Sequence, residues 1–230
     1  SDGAYRAGVG RMPARPRIGW LGDWGGAYAM EPGILAQAEA ALAVMEGLGW
    51  DVAPIAPPFA PEALWEAWCV LRQFAVAMNL GPYWREEAHQ ALLPAQAKWE
   101  ISHGFARKLA EVEWAAETRA AWLAAAREMF AQYDAVILPA TQVWPFAVET
   151  RWPEAIGEQV MDSYHRWMEV VVPASLAGLP ALALPAGFGT DGLPAGVQMI
   201  GAPGADAMLM ALGRVYHDAT DWPGKNPPML

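Results

Sequence analysis

Cysteine occurs once, at Cys69, so no disulfide can form within the chain, which agrees with a reducing compartment. Lysine is nearly as scarce, with Lys98, Lys108 and Lys225 the only three. The net charge is −10 and the pI near 4.8, which argues against wrapping DNA or RNA, because phosphate contacts need clustered Lys and Arg. No apolar run reaches the roughly 18 residues of a membrane span. The opening residues SDGAYRAGVGRMPARPR lack the apolar centre of a secretory signal. The expectation is a cytoplasmic protein with no nucleic-acid and no membrane partner. Charged residues make up only 17% against 54% hydrophobic, a balance that excludes general disorder.

What is present is apolar surface in quantity, including 13 tryptophans. That number points to a thick core or to an apolar face that expects a partner. RIGWLGDW, residues 17–24, reads as a strand that runs into a glycine-rich turn. After it, Ile34, Leu35, Ala38, Leu42, Met45 and Leu48 form one helical stripe, with Pro32 near the first turn and Gly49 past the last. DVAPI returns as a second strand, and a strand, helix, strand unit of this length favours a parallel pair. Prolines 54, 57, 58 and 61 then break the pattern. Residues 62–133 are alanine-rich and helical, with interruptions expected at NLGPYW and LLPAQ. Trp65, Trp68, Trp99, Trp114, Trp122 and Phe130 read as packing surface of these helices.

YDAVILPA predicts a buried strand over 135–138, followed by a polar and aromatic loop and a helix around 160–170. The stretch LAGLPALALPAGFGTDGLPAGVQMIGAP, residues 176–203, combines apolar surface with four prolines and six glycines. A helix would lose roughly 3 kcal/mol at each interior proline. Two short buried strands, 181–184 and 196–200, joined by a glycine-rich turn at 187–192, satisfy both features. A last helix over 206–216 presents Met208, Leu209, Leu212, Val215 and Tyr216 on one face. Strands interleaved with helices predict the α/β class, a mixed β-sheet flanked by helices, in a single domain over residues 1–230.

Composition and spacing alone show no catalytic constellation. Glycines 19, 22, 25 and 26 follow a strand, but their spacing is not that of a dinucleotide fingerprint and no phosphate-loop lysine accompanies them, so a plain turn is expected. Histidines 89, 103, 165 and 217 lack metal-ligand spacing and read as helix-surface residues; no metal and no cofactor is implied. In MDSYHRW, Asp162, Ser163 and His165 are neighbours, yet residues two apart on a helix do not face each other, so the reading is a solvated helix face. Ser175 reads as a turn or capping residue.

Taken in order, RWMEVVVPASLAGLPALALPAGFGTDGLPAGVQMIGAPGADAMLMAL resembles the amidase signature family. It follows that family's Trp-Met, Ser-x-x-Gly-x-Pro-Ala, Pro-Ala-Gly-Phe, Asp-Gly-Leu-Pro-x-Gly-x-Gln pattern. RIGWLGDWGG with the helix after it, QAKWEISHG and YDAVILPATQVWPFAVETRWPEAIG support the resemblance across nearly the whole chain. It implies the C-terminal half of an enzyme that hydrolyses linear amides, or passes their ammonia onward, through an acyl-enzyme on a serine. A second serine, joined by a cis peptide, and a lysine complete that machinery. The family carries those groups on an upstream lysine segment and a Gly-Gly-Ser-Ser-Gly loop, and neither motif occurs in these residues. No catalytic residue is therefore assigned.

The resemblance also implies substrate-facing residues in the loop after the 135–138 strand, namely Thr141, Trp144 and Phe146. Gln198 either joins them or, in the preferred reading, bonds backbone within the sheet. The expected partners are the missing N-terminal catalytic segment and a small amide substrate, with a homo-oligomer as a further expectation. Two alternatives stand beside this reading: a non-catalytic interaction module with an amidase-derived half-fold, and part of the amidase subunit of a tRNA-dependent amidotransferase.

Overall fold

A computed structural model describes residues 12–225. The chain packs as two compact units, one from the segment up to Pro58 together with Ala126 onward, the other Phe59–Ala125.

The first unit carries a five-stranded mixed sheet in the order β2-β1-β3-β7-β6. Strand β1 (Arg17–Trp20) pairs in parallel with β2 (Asp51–Pro54) on one side and with β3 (Ala135–Pro139) on the other. Strand β7 (Pro194–Gly201) runs antiparallel to β3 and to β6 (Ala181–Phe188). The α/β class and the parallel β1–β2 pair are as expected. The last two strands are longer than the apolar runs suggest, because a bulge between Pro185 and Gly187 lets β6 continue past the proline.

Helix α1 (Ile34–Gly47) buries Ile34, Ala38, Ala41, Leu42 and Met45. Its stripe meets Ile18, Ala135, Ile137, Val197 and Met199 of the sheet in one core. All five residues of β3 are buried. Its alternate residues Ala135 and Ile137 join this core, so the strand's period of two turns Val136 and Leu138 to the other face.

The expected helix around 160–170 is a correction. Val160 lies instead in a two-residue strand β5 (Gln159–Val160) paired with β4 (Ala155–Ile156). A 3-10 turn (Arg166–Val171) follows and leads, across a kink at Met168, into a short helix α6 (Val172–Ala177). Two features accompany the break. Pro173 fits the first turn of a new helix but not the interior of an old one. The eclipsed i,i+3 positions of a 3-10 turn suit Arg166 and Glu169, whose side chains pair at 2.8 Å. The last long helix, α7 (Asp206–Thr220), packs Leu209, Leu212 and Tyr216 onto the sheet core. A four-residue helix α8 (Trp222–Lys225) follows.

The second unit is helical: α2 (Pro61–Trp84), α3 (Glu87–Gln90), α4 (Ala95–Ala106) and most of α5 (Leu109–Phe130). The interruption expected near NLGPYW falls at its end, since α2 runs to Trp84. Pro82 forfeits one bond of the last turn, to the Met78 carbonyl, and only two helical residues follow it before the C-cap at Arg85. LLPAQ does break the chain, with Pro94 preceding α4. Helices α2 and α4 approach closely because Gly104 has no side chain. A Cβ there would collide with the Gln73 carbonyl and lie 2.6 Å from the Ala77 Cβ. Around this crossing, Arg72 pairs with the buried Glu100 at 2.7 Å and Arg107 donates twice to the Gln73 side-chain oxygen, at 2.6 and 2.9 Å. Trp65 and Trp122 are buried, Trp68 and Trp99 are half-buried, and Trp114 is exposed.

Candidate functional site

Parallel strands β1 and β3 point their C-terminal ends the same way, and in open α/β sheets ligands settle outside such ends. The loops that leave them, residues 21–33 and 140–154, are stitched together. Leu21 N–H donates to the Ile137 carbonyl at 3.1 Å and Glu31 N–H to the Gln142 carbonyl at 2.8 Å. The Glu31 carboxylate accepts from Trp144 N–H at 2.6 Å, and the Trp144 indole donates to the Pro32 carbonyl at 3.0 Å.

Two buried glutamines then fasten the 3-10 turn to this rim through Val170. Gln142 donates to the Ala29 carbonyl at 2.9 Å and accepts from Val170 N–H at 3.0 Å. Gln198, reaching up from β7, donates to the carbonyls of Pro139 at 3.0 Å and Val170 at 2.9 Å. Both amides are almost wholly inaccessible, and each of their bonds goes to a backbone group.

The fastened turn carries the buried Arg166–Glu169 ion pair, with Asp162 a further 3.6 Å contact of the guanidinium. Beside it lies Tyr28, 2% exposed. Burial pushes the Tyr28 phenol far above its ordinary 10.0; the nearby Glu169 charge pushes the same way and Arg166 partly opposes both. The native state therefore holds this proton where the unfolded chain releases it. Stability is intact below about pH 10 and falls as the pH rises further. Tyr28→Phe removes that loss, and because the hydroxyl has no hydrogen-bond partner among the described residues, the variant is expected to match the parent at neutral pH. Denaturation midpoints taken at pH 7 and pH 11 for both proteins check this.

A groove of about 300 Å³ opens next to the rim, lined by Pro32, Gly33, Gln37, Trp144, Thr190 and Asp191 among others. Gly33 takes a left-handed φ of 91° at the start of α1, and its missing Cβ leaves room for the Trp144 ring. Of the residues expected to face substrate, Trp144 lines this groove. Thr141 is half-buried and turns its hydroxyl to the Val143 backbone at 3.3 Å. Phe146 is exposed and meets Trp167 edge-on at 5.4 Å. Gln198 bonds backbone as described. Gln142, Tyr28, Arg166 and Glu169 were not anticipated. The one sequence signal for the last two is a charged pair at i,i+3 inside the otherwise apolar run RWMEVVV.

The MDSYHRW expectation also needs correction. This segment is bent rather than helical, so Ser163 Oγ lies 2.9 Å from His165 Nδ1 and 2.9 Å from Asp162 Oδ1. His165 is buried, not a surface residue. The Ser163 hydroxyl donates its single proton to Asp162 Oδ1 rather than to the imidazole, so it is not paired as a nucleophile is with its base. Ser175 is exposed on α6 and Ser102 donates to the Trp99 carbonyl at 2.9 Å. Lys225 lies over the Trp222 ring at 5.2 Å. Among the described residues no group of three His, Cys, Asp or Glu side chains could hold a metal ion, and no helix is long and apolar enough to cross a membrane.

The mixed sheet and its flanking helices are those of the amidase signature fold. The sequence pattern of the Amidase family matches residues 1–210, and the chain belongs to that family. It is 30% identical over 223 residues to a glutamyl-tRNA(Gln) amidotransferase subunit of Dehalococcoides mccartyi, covering 86% of this chain and 44% of that protein. The solved structure of a bacterial aryl acylamidase of the amidase signature enzymes superposes with a TM-score of 0.83 at 20% identity, covering 96% of this chain and 46% of that one. A 6-aminohexanoate cyclic dimer hydrolase gives 0.77 at 21% identity, with 97% and 49% covered. The chain thus spans about half the length of the relatives it matches.

Proposed function

We propose that these residues are the wall-forming portion of an amidase: they supply the scaffold and part of the acyl pocket for hydrolysis of carbon–nitrogen bonds in small linear amides. The serine pair and lysine that form and resolve the acyl-enzyme come from polypeptide outside these 230 residues. The observation that supports this most directly is how the rim spends its polar groups. Its two buried glutamines satisfy backbone, and the Ser163 hydroxyl beside His165 donates to Asp162. Such a rim orients a pocket and attacks nothing. Trp144, beside the groove, is the residue proposed to contact the acyl part of the substrate, with Thr141 and Phe146 flanking it on the same loop.

The isolated chain is expected to show no turnover on aliphatic amides or anilides. In the assembled or longer form that its source makes, Trp144→Ala is expected to raise KM about tenfold with kcat less affected, as for the loss of one aromatic contact. Turnover by the purified isolated chain would contradict the reading. A second reading, part of the amidase subunit of a tRNA-dependent amidotransferase, is favoured by the similarity to the Dehalococcoides mccartyi protein. It predicts partner subunits in the native assembly and ammonia passed to an acceptor; hydrolysis of simple amides without such subunits would remove it.

A further inference from the structure

Trp144 is held where two segments of the fold come together. Its backbone N–H is committed to the Glu31 carboxylate at 2.6 Å and its indole N–H to the Pro32 carbonyl at 3.0 Å, so the nitrogen edge of the ring is tied to the start of α1. The benzene edge lies against the turn between β6 and β7. In that turn Gly189 N–H donates to the Leu193 carbonyl at 2.9 Å and Gly192 N–H to the Gly189 carbonyl at 3.0 Å.

The contact exists because Gly189 has no side chain. A Cβ there would lie 2.6 Å from Cη2 of the Trp144 ring and 3.0 Å from its Cζ2 and Cζ3, and these are its three nearest neighbours. Carbon atoms in contact sit about 3.5–4.0 Å apart, so a methyl group and the ring cannot both keep their places. The ring is not free to swing clear, because moving its benzene edge pulls the indole nitrogen from Pro32.

Three glycines near the ring can be told apart. Gly33 also faces it, at 3.4 Å from Cζ2, but its φ of 91° makes any side chain there a backbone strain. Gly192 has a φ of 74°, and a Cβ on it meets nothing within 4 Å. Gly189 has a φ outside the left-handed region, so its backbone accepts alanine and the opposition comes from Trp144. The turn does not require glycine at 189; the ring does.

We propose that Gly189 is a positioning residue for substrate selection: its bare Cα seats Trp144 against the turn and thereby shapes the groove of about 300 Å³ for the acyl part of the amide. This rests on the functional reading above and deepens it. An acyl chain long enough to reach the ring gains from the seat, and a short one does not.

Kinetics of the assembled or longer form that its source makes, with hexanamide and acetamide as substrates, test this. Gly189→Ala is expected to raise KM for hexanamide about tenfold, as for the loss of one aromatic contact, with kcat within about twofold. Acetamide, too small to fill the groove, is expected to keep its kcat/KM within about twofold, whereas a general loss of active structure lowers both substrates alike. Because one residue acts through the other, Gly189→Ala/Trp144→Ala is expected to be no worse than Trp144→Ala alone. In a Trp144→Phe background, where the smaller ring leaves room for the methyl, Gly189→Ala is expected to cost less than about threefold. Gly192→Ala strains the turn without touching the ring and is expected to leave the hexanamide KM unchanged. Independently of turnover, Gly189→Ala is expected to move the indole N–H resonance of Trp144, assigned by its loss in Trp144→Phe.

If Gly189→Ala does not fold, the collision predicts that Gly189→Ala/Trp144→Phe does; failure of both overturns the proposal. A parental hexanamide KM and an unmoved resonance in Gly189→Ala, while Trp144→Ala still raises KM, overturn the seat and leave the functional reading standing. Losses that multiply in the Gly189→Ala/Trp144→Ala variant overturn it as well. A moved resonance with no amide hydrolysis in any assembled form leaves the ring seated by Gly189 but overturns the functional reading, and the selectivity with it.

Discussion

Gly104→Val is expected to destabilise the protein by about 3 kcal/mol or more, because the new side chain must enter space held by backbone. The nearest obstacles are the Gln73 carbonyl and the Ala77 Cβ of α2, neither of which is the movable end of a flexible side chain. Separating α2 from α4 to make room would also draw Arg107 from Gln73 and Arg72 from Glu100, a carboxylate 1% exposed. For a chain of this size the loss corresponds to roughly 6–12 °C in midpoint. Gly47→Ala is the control, since a Cβ there meets nothing within 4 Å. At the end of α1 it is expected to be neutral or to stabilise by up to about 1 kcal/mol. Thermal unfolding of the two variants side by side separates a collision from a general effect of replacing helical glycine.

Arg166→Met is expected to cost about 3–5 kcal/mol, the usual result of removing one partner from a buried ion pair. The Glu169 side chain is 3% exposed, so without the guanidinium at 2.8 Å its carboxylate keeps the cost of burial and loses the compensating charge. Arg166→Met/Glu169→Leu, which removes both charges at similar volume, is expected to recover most of the loss. The same pair separates a structural from a local role: if the 3-10 turn is held chiefly by Gln142 and Gln198 through Val170, the double variant keeps the rim, and Trp144 fluorescence stays close to the parent's.

Much of the fold was legible because burial writes itself as periodicity. The stripe at Ile34, Ala38, Leu42 and Met45 gave α1, and the unbroken apolar run at Ala135 to Leu138 gave a strand covered on both faces. Prolines marked breaks less closely than stripes marked helices. Pro82 lies within α2, which ends two residues later at Trp84, and Pro173 opens a short helix beyond the expected 160–170 one. The bend at 161–165 had no periodic signature at all, so the meeting of Ser163 with His165 was not legible.

The rim was legible only in part. Trp144 was singled out by the family resemblance together with its place after a strand. Gln142 and Gln198 act by reaching backbone atoms that lie 28 to 113 positions away in the chain, and such pairings leave no trace in local sequence. Tyr28 and the Arg166–Glu169 pair meet for the same reason, through the folding of three separate loops onto one end of the sheet.

The measurement closest to the central claim is labelling of the purified 230-residue chain with a fluorophosphonate, which phosphonylates an activated serine, followed by intact mass and peptide mapping. The account predicts an unchanged mass over a time that fully labels an amidase of the same family. An adduct on Ser163 or Ser175, accompanied by amide turnover, would place the nucleophile inside this chain and contradict it.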